Sequence, residues 1–370
     1  MQIASSLSRP KNHFSYQLAK LDALRGFASI YIVLHHLVAN FVNSTKGTSS
    51  LLKTLKLVFS FGQEFVIIFF LISGCVIYLS TIRNSQINFS TYFFKRFRRI
   101  YPPVVVAILL SILIVILNGK IARGIDLRQL MGNLLMLQDT GFTKPGVWCE
   151  PFVNNYPLWS LSYQWWFYML FFPLYKILPQ RNYRIYFILF ISGSAWLSYL
   201  ARPNYLFLVF TYFIIWWSGL ETAAVFMRNG SLSLSKMKHI FICLGIMCLF
   251  TFLPLLQAEK ISFGIYPFLM FRHFFASLLI LAIALFWYQR GMIFFQETLG
   301  HFAILAPISY GIYLFHYPIL ISWNTSPWSP NILLSLGIKL FCVVGLAYLV
   351  EQKIQPSIRE FFQPKKLPVG

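Results

Sequence analysis

Ionisable side chains inside an apolar segment are the residues of this sequence that first suggest chemistry. Residues 21–36 read LDALRGFASIYIVLHH, so Asp22, Arg25, His35 and His36 stand among apolar neighbours. A neutral histidine can accept a proton near neutral pH, and an arginine binds anionic oxygens through its planar guanidinium. These residues are therefore either an interfacial arginine with an incidental histidine pair, or the anion-binding group and base of an active site.

Helical spacing brings the polar residues of this segment to one face. Each residue of an α-helix advances by about 100°, and the residues that fall in one narrow band are Asp22, Arg25, Ser29, His36, Asn40 and Asn43. Arg25 and His36 are separated by about 16 Å along the helix axis. His35 lies off this polar stripe and keeps its ordinary structural interpretation.

The composition indicates that this helix lies in a membrane. The chain has 370 residues, of which 58% are hydrophobic and only 11% are charged, whereas a soluble domain carries roughly 25% charged residues. Ionisable groups inside a bilayer cost on the order of 2–3 kcal/mol or more and normally face a protein interior or a water-filled cavity. We therefore expect the polar stripe to face such a cavity.

Candidate membrane spans follow from the requirement of about 20 apolar residues per spanning helix. They lie near residues 22–43, 57–81, 100–118, 158–178, 184–201, 205–226, 239–256, 267–288, 304–323 and 331–350. The sequence therefore predicts an all-α fold, a polytopic membrane helical bundle with about ten transmembrane helices. The predicted divisions are an N-terminal tail (1–21), a ten-helix membrane domain (22–350) and a C-terminal tail (351–370).

The distribution of Lys and Arg predicts the orientation. Both tails and the even-numbered connections carry 19 of these residues, and the odd-numbered connections carry 9. The positive-inside rule therefore puts both termini in the cytoplasm. The net charge of +21 is interpreted as topology and contact with lipid headgroups, not as nucleic-acid binding. Five scattered cysteines without a CxxC pair predict no metal site.

Four further stretches carry polar side chains in apolar surroundings. They are IIFFLISG with Ser73, FFKRFRRIYPP with Arg96, Arg98 and Arg99, LWSLSYQWWFYML with Ser160, Gln164 and Tyr168, and ISYGIYLFHYPI with Ser309, Tyr313 and His316. The basic stretch by itself is typical of a segment that contacts anionic lipids. The small residues Ser73 and Gly74 favour close contact with a neighbouring helix.

Taken in order, these stretches resemble the acyltransferase-3 family of membrane O-acyltransferases, many of which acetylate bacterial surface polysaccharides. The matching pieces are LDALRG with Arg25 and His36, FFLISG, KRFRRIYPP, WSLSYQWWFY, SYGIYLFHYP and the closing YLVEQKIQP with Glu351. The resemblance covers nearly the whole chain, from about residue 20 to 360.

The resemblance implies an acyl-coenzyme A donor in the cytoplasm and a hydroxyl acceptor on a cell-surface or lipid-linked carbohydrate, such as a lipopolysaccharide. It also implies a place in the bacterial cytoplasmic (inner) membrane, and a need for Arg25 and His36 in activity. Acetyl-CoA would be a co-substrate, with no permanently bound cofactor. One position departs from the family pattern WSLxxExxFY: Gln164 replaces the glutamate, so it cannot act as a base, although it can still form hydrogen bonds.

The chemistry of acyl transfer assigns roles to these residues as a hypothesis. The attacking alcohol must lose a proton, for which His36 is the proposed base. Arg25, Arg96, Arg98 and Arg99 are the candidates for binding acyl-CoA. The candidates for shaping the pocket are Ser73, Ser160, Gln164, Tyr313, His316 and Glu351.

Two other functions remain open at the level of the sequence. A transporter or flippase of a lipid-linked saccharide would also use a polar seam in a bundle of many helices. A catalytically inactive accessory subunit is the other alternative, and it is motivated by Gln164.

Overall fold

The computed structural model describes residues 11–44, 49–82, 87–120, 125–178, 183–325 and 331–361. Residues 1–10 and 362–370, which belong to the two predicted tails, lie outside the described residues. The helices are α1 (Lys11–Ser44), α2 (Ser50–Val58), α3 (Gly62–Ile82), α4 (Phe89–Leu117), α5 (Leu127–Leu134), α6 (Trp159–Ile177), α7 (Arg184–Ala201), α8 (Tyr205–Asn229), α9 (Leu234–Phe252), α10 (Phe268–Gln289), α11 (Ser309–His316), α12 (Ile332–Tyr348) and α13 (Gln355–Phe361).

The predicted membrane bundle is confirmed. Among the described residues, nine helical segments are long and apolar enough to cross a membrane, and each coincides with one of the predicted spans. The remaining predicted span, 158–178, corresponds to α6, whose 19 residues extend about 28 Å at the usual rise. That length matches a hydrocarbon core of roughly 30 Å. The first two turns of α6 carry the polar residues Ser160, Ser162 and Gln164.

The connections between helices gather at two opposite faces of the bundle. At one face the loop before α10 meets the loop before α6, where the Tyr266 amide donates to the Thr143 carbonyl at 2.8 Å. The Tyr199 hydroxyl at the end of α7 also donates to the carbonyl of Pro145. These are odd-numbered connections, which the charge distribution predicts to be extracytoplasmic.

The other face joins the even-numbered connections and the chain ends. Arg99 of α4 pairs with Glu351 at 3.1 Å, and the Lys20 ammonium contacts the Met292 sulfur at 3.2 Å. Near its end, α6 reaches the start of α4, where the Phe89 and Phe172 ring centroids are 5.5 Å apart. Because α6 begins at the first face and ends at the second, it crosses the bundle like the other spans.

The basic stretch lies on a helix and not in the connection between spans predicted at 82–99. α4 begins at Phe89, where the side chain of Asn88 accepts a hydrogen bond from the Thr91 amide. This side-chain cap satisfies a backbone donor that the first turn leaves free, so the helix starts about ten residues before the apolar run. Arg96, Arg98 and Arg99 are consequently fixed on a rigid element.

The long connection before α6 is folded over the end of the bundle. Asp139 and Lys144 are both almost fully buried and are 2.9 Å apart, and Asp139 also accepts a hydrogen bond from the Tyr163 hydroxyl at 2.5 Å. The ammonium of Lys144 lies 4.2 Å from the centroid of the Trp159 ring. Burial lowers the pKa of Lys144, and the charge of Asp139 offsets part of that effect. The contacts of this ion pair with Tyr163 and Trp159 therefore fix the connection to the start of α6.

Close contact between α3 and α8 determines the position of the polar residues on α3. A Cβ atom at Gly74 would collide with the backbone of Trp216, and one at Gly219 would collide with the carbonyl of Leu71. Glycine permits two helix backbones to approach this closely. The packing places Ser73 next to the indole of Trp216, which donates a hydrogen bond to the serine hydroxyl at 3.0 Å.

Candidate active site

A cavity of about 200 Å³ with both polar and apolar walls lies between five of the helices. Side chains of α1, α3, α4, α6 and α11 form its wall. The polar residues among them are Arg25, Ser73, Arg96, Arg99, Ser160, Gln164, Tyr168, Ser309, Tyr310 and Tyr313. The structure thus brings residues from five separate sequence stretches to one cavity.

Three arginines make the cavity positively charged near the face that carries the chain ends. Arg25 pairs with Asp22 on the preceding turn at 2.9 Å, and Arg99 pairs with Glu351. Arg96 donates to the Ser80 hydroxyl at 2.9 Å. Within the described part of the chain, no carboxylate is paired with Arg96. The arrangement therefore leaves positive charge for an anionic ligand.

Arg98 lies outside this cavity although it belongs to the same basic stretch. Arg96 and Arg99 are three residues apart and share a helix face, whereas Arg98 is rotated by about 200° from Arg96. The Arg98 guanidinium donates to the carbonyl of Phe94 on its own helix at 3.1 Å. Helical geometry thus separates one of the four arginines proposed for acyl-CoA binding from the other three.

Gln164 takes part in a hydrogen-bond network on the cavity wall. Its amide nitrogen is 3.1 Å from the Ser73 hydroxyl and 2.6 Å from the Tyr168 hydroxyl. Those two hydroxyl groups are 2.9 Å apart, and Ser73 also accepts from the indole of Trp216. A neutral amide can donate to both hydroxyls, which a carboxylate cannot do. Gln164 thus donates hydrogen bonds to two hydroxyl groups of the wall.

The Ser160 and Tyr313 side chains are joined by a hydrogen bond in another part of the wall. The Tyr313 hydroxyl donates to the carbonyl of Pro157 and lies 2.8 Å from the Ser160 hydroxyl. Since the tyrosine has one proton to donate, Ser160 is the donor in the second bond. Phe69 packs edge-on against Tyr313, with ring centroids 5.8 Å apart.

Two histidines from different helices meet just beyond Tyr313. The ring centroids of His36 on α1 and His316 on α11 are 5.4 Å apart, and the rings are tilted by 31°. His36 also contacts the Tyr317 ring edge-on at 5.0 Å. His36 and His316 are not among the residues that line the cavity, but the Tyr313 ring, which does line it, has its centroid 6.1 Å from that of His316.

A backbone irregularity in the helix that carries His316 is stabilised by the folded connection. His316 is the last residue of α11, and a π-helical segment, Tyr317–Ser322, follows it. Pro318 has no amide hydrogen, so the Leu314 carbonyl loses its usual partner. The buried side chain of Asn155 donates to that carbonyl at 3.3 Å. Such π-helical turns are frequent at functional sites.

The remaining predicted residues have structural contacts. His35 contacts the start of α3 at Gly62, and its ring nitrogen is 2.5 Å from the carbonyl of Phe59. Glu351 is buried, pairs with Arg99 and accepts a hydrogen bond from the amide of Gly311 at 2.5 Å. This carboxylate connects the π-helical segment after α12, Leu349–Ile354, to both α4 and α11, so it holds two walls of the cavity together.

Sequence reasoning did not assign Tyr310 and Tyr317 to the site. Tyr310 lines the cavity and lies under the Arg99 guanidinium at 5.6 Å, and Tyr317 contacts His36. A signal was available for Tyr317, because it is four residues after Tyr313 and thus on the same helix face. Tyr310 could be recognised only from the position of α4 beside α11.

Comparison with known proteins agrees with the resemblance noted in the sequence. A sequence model of an acyltransferase domain, that of acyltransferase family 3, matches residues 18–351. The chain belongs to the acyltransferase-3 family. No curated protein and no solved structure matches this family member. The matched region runs from the first turns of the polar stripe to Glu351, so it includes every helix that contributes to the cavity and to the histidine pair of this membrane acyltransferase.

Proposed function

We propose that this membrane acyltransferase transfers an acyl group, most simply acetyl, from cytoplasmic acyl-CoA to a hydroxyl of a cell-surface or lipid-linked carbohydrate, with His36 as general base. The proposal includes a location in the bacterial cytoplasmic membrane. The observation that carries it is the succession of an arginine-lined cavity and a histidine pair along α1 and α11 within one bundle.

The charge of the cavity supports a coenzyme A donor. Arg25, Arg96 and Arg99 line its wall, and guanidinium groups bind phosphate oxygens through paired hydrogen bonds. From Arg25 to His36 the axis of α1 rises about 16 Å, which is comparable to the reach of an extended pantetheine arm. A coenzyme held by its phosphates at the arginines would therefore direct its thioester toward the histidines.

The position of the histidine pair supports an acceptor that arrives from the opposite face. Tyr317 contacts His36, and the Tyr317 ring lies 5.5 Å from that of Tyr156 in the folded connection. That connection belongs to the face opposite the chain ends, so the two substrates would approach from opposite sides. A carbohydrate exposed at that face would then reach His36 without passing through the cavity.

The transfer conserves protons. His36 removes the proton of the acceptor hydroxyl while its oxygen attacks the thioester carbon, and hydroxyl and amide groups of the cavity wall supply donors for the developing oxyanion. The carbon–sulfur bond then breaks, and the imidazolium returns the proton to the leaving thiolate. The products are the carbohydrate ester and free coenzyme A.

The test uses the purified protein in lipid nanodiscs with acetyl-CoA and a lipid-linked saccharide from the host. We expect release of free thiol together with an acceptor that gains the mass of one base-labile acetyl group. His36→Ala and Arg25→Ala should abolish both signals, whereas His301→Ala, at an exposed position, should retain them.

Several results would contradict the proposal. Wild-type acylation by folded His36→Ala would end the assignment of His36 as base. Movement of the saccharide across the bilayer without a new ester would indicate a flippase, and failure of the wild type to release coenzyme A with any saccharide would favour an accessory subunit.

A further inference from the structure

His316 is a fully buried histidine whose ring nitrogens differ: Nδ1 is hydrogen-bonded, and Nε2 has no hydrogen-bond partner in the described part of the chain. Its side chain has no exposed surface, and its Nδ1 atom lies 3.1 Å from the carbonyl oxygen of Ile312, one turn earlier in α11. A carbonyl only accepts, so Nδ1 carries the hydrogen and Nε2 of the neutral ring carries a lone pair. The backbone of α11 thus selects the tautomer of this ring.

The Nε2 atom of His316 has no hydrogen-bond partner among the described residues. Leaving a buried polar atom unsatisfied costs roughly 1–3 kcal/mol, so a hydrogen bond to Nε2 would stabilise the site. Nδ1 and Nε2 lie on different sides of an imidazole ring. With Nδ1 directed at Ile312, Nε2 is directed away from the preceding turn.

The ring of His36 is the nearest group of matching chemistry. Two imidazoles joined by an N–H···N hydrogen bond have ring centroids roughly 5 Å apart, which is an ordinary donor–acceptor distance plus the distance from each centroid to its nitrogen. The observed centroid separation is 5.4 Å with a 31° tilt. Stacked rings would be closer and would lie parallel. The separation of the two rings is therefore compatible with such a bond once a nitrogen of His36 is turned toward Nε2.

We propose that His316 is the positioning residue for His36: its Nε2 accepts a hydrogen bond from one nitrogen of His36 and leaves the other nitrogen unprotonated toward the acceptor hydroxyl. The series is then hydroxyl, His36, His316 and the Ile312 carbonyl. It corresponds to the general arrangement in which a base is oriented by a third group, here with an imidazole and a backbone carbonyl in place of a carboxylate.

A neutral histidine suits the position of hydrogen-bond acceptor for His36 for two reasons. During transfer, His36 gains the hydroxyl proton and becomes an imidazolium, and both of its N–H groups then need acceptors in a region poor in water. His316 supplies one acceptor, and the leaving thiolate takes the other proton. A neutral partner also avoids placing a carboxylate beside the anionic coenzyme. The role of His316 rests on the proposed function of His36 as base, but the hydrogen bond itself does not.

The first test observes the hydrogen bond directly. Protein labelled with ¹⁵N-histidine is prepared in nanodiscs, and the ring nitrogens of the chain's seven histidines are recorded by solid-state NMR, with His36→Gln identifying the signals of His36. We expect one tautomer of His36 in the wild type and in His316→Gln, whose amide oxygen can accept, and a mixture of two tautomers in His316→Phe. His301→Phe is the matched control and should leave the His36 signals unchanged.

The second test measures the consequence for catalysis. His316→Phe should lower kcat by tenfold or more while KM for acyl-CoA stays within about threefold, since the arginines are untouched, and His316→Gln should recover a substantial part of kcat. An unchanged His36 tautomer in His316→Phe would overturn the proposal, as would equal loss of kcat in both variants. If the wild type transferred no acyl group, the proposed function would fail, whereas the NMR comparison would still decide the His36–His316 bond.

Discussion

Replacing Arg96 by alanine should weaken acyl-CoA binding more than any other single change in the basic stretch. Arg25 and Arg99 are already paired with carboxylates. Arg96 has no carboxylate partner in the described part of the chain; it donates to the Ser80 hydroxyl and lies over the rings of Tyr92 and Tyr168. A hydrogen bond to a charged group contributes about 1.5–3 kcal/mol, which corresponds to a change of roughly 10- to 100-fold in an equilibrium constant. We therefore expect Arg96→Ala to raise KM for acetyl-CoA by roughly that factor.

Arg98→Ala is the matched control because it removes the same charge from the same helix. The guanidinium of Arg98 bonds to Phe94 and lies outside the cavity, so its removal should change KM by less than about threefold, an effect of under 1 kcal/mol typical of exposed charges. The assay is the initial rate of thiol release in nanodiscs as acetyl-CoA is varied, with thermal unfolding as a check on folding. An increase in KM for Arg98→Ala as large as for Arg96→Ala would refute the assignment of the cavity as the coenzyme site.

Three further substitutions test the geometry. Gln164→Glu should keep the protein folded, because both neighbouring hydroxyls can donate to a carboxylate. A sharp rise in the rate of acyl transfer would reveal a charge or proton-transfer role at this position. An unchanged rate would show that hydrogen bonding suffices. Gly219→Ala should markedly lower the thermal unfolding temperature of the purified protein, since its Cβ would collide with the α3 backbone. Gly245→Ala is the control, because no atom lies within 4 Å of the added Cβ, and it should leave the unfolding temperature nearly unchanged. Equal effects would contradict the packing of α3 on α8. Lys144→Met leaves Asp139 buried without its ion pair, at a cost of about 3–5 kcal/mol, so we expect little of this variant to accumulate in the membrane. The double variant Lys144→Met/Asp139→Asn should partly restore the amount of protein. Normal amounts of the single variant would argue against the buried pair.

The spans were predictable because each depends on local composition. A helix must satisfy its own backbone hydrogen bonds in a bilayer, so a run of about 20 apolar residues is sufficient evidence for it. The same reasoning was less accurate at the start of α4. There a side-chain cap at Asn88 starts the helix before the basic stretch, and hydropathy carries no information about such a cap.

The polar stripe shows how much of the candidate site helical periodicity can predict. Periodicity related Arg25 to His36 and distinguished His36 from His35, because both statements concern one helix. It also contained the information that separates Arg98 from Arg96 and Arg99. What it did not contain is the partner of each residue, since partners come from helices that are distant in sequence.

The sequence by itself thus determined the class of fold, the polar face of α1 and, through the order of its motifs, the family. Only the tertiary structure decided that Arg25, Arg96 and Arg99 surround one cavity, that Gln164 is bonded to Ser73 and that His316 lies beside His36. The physical reason is that composition and periodicity describe a single segment. The approach of two helices depends instead on small residues such as Gly74 and on contacts between the side chains of both helices.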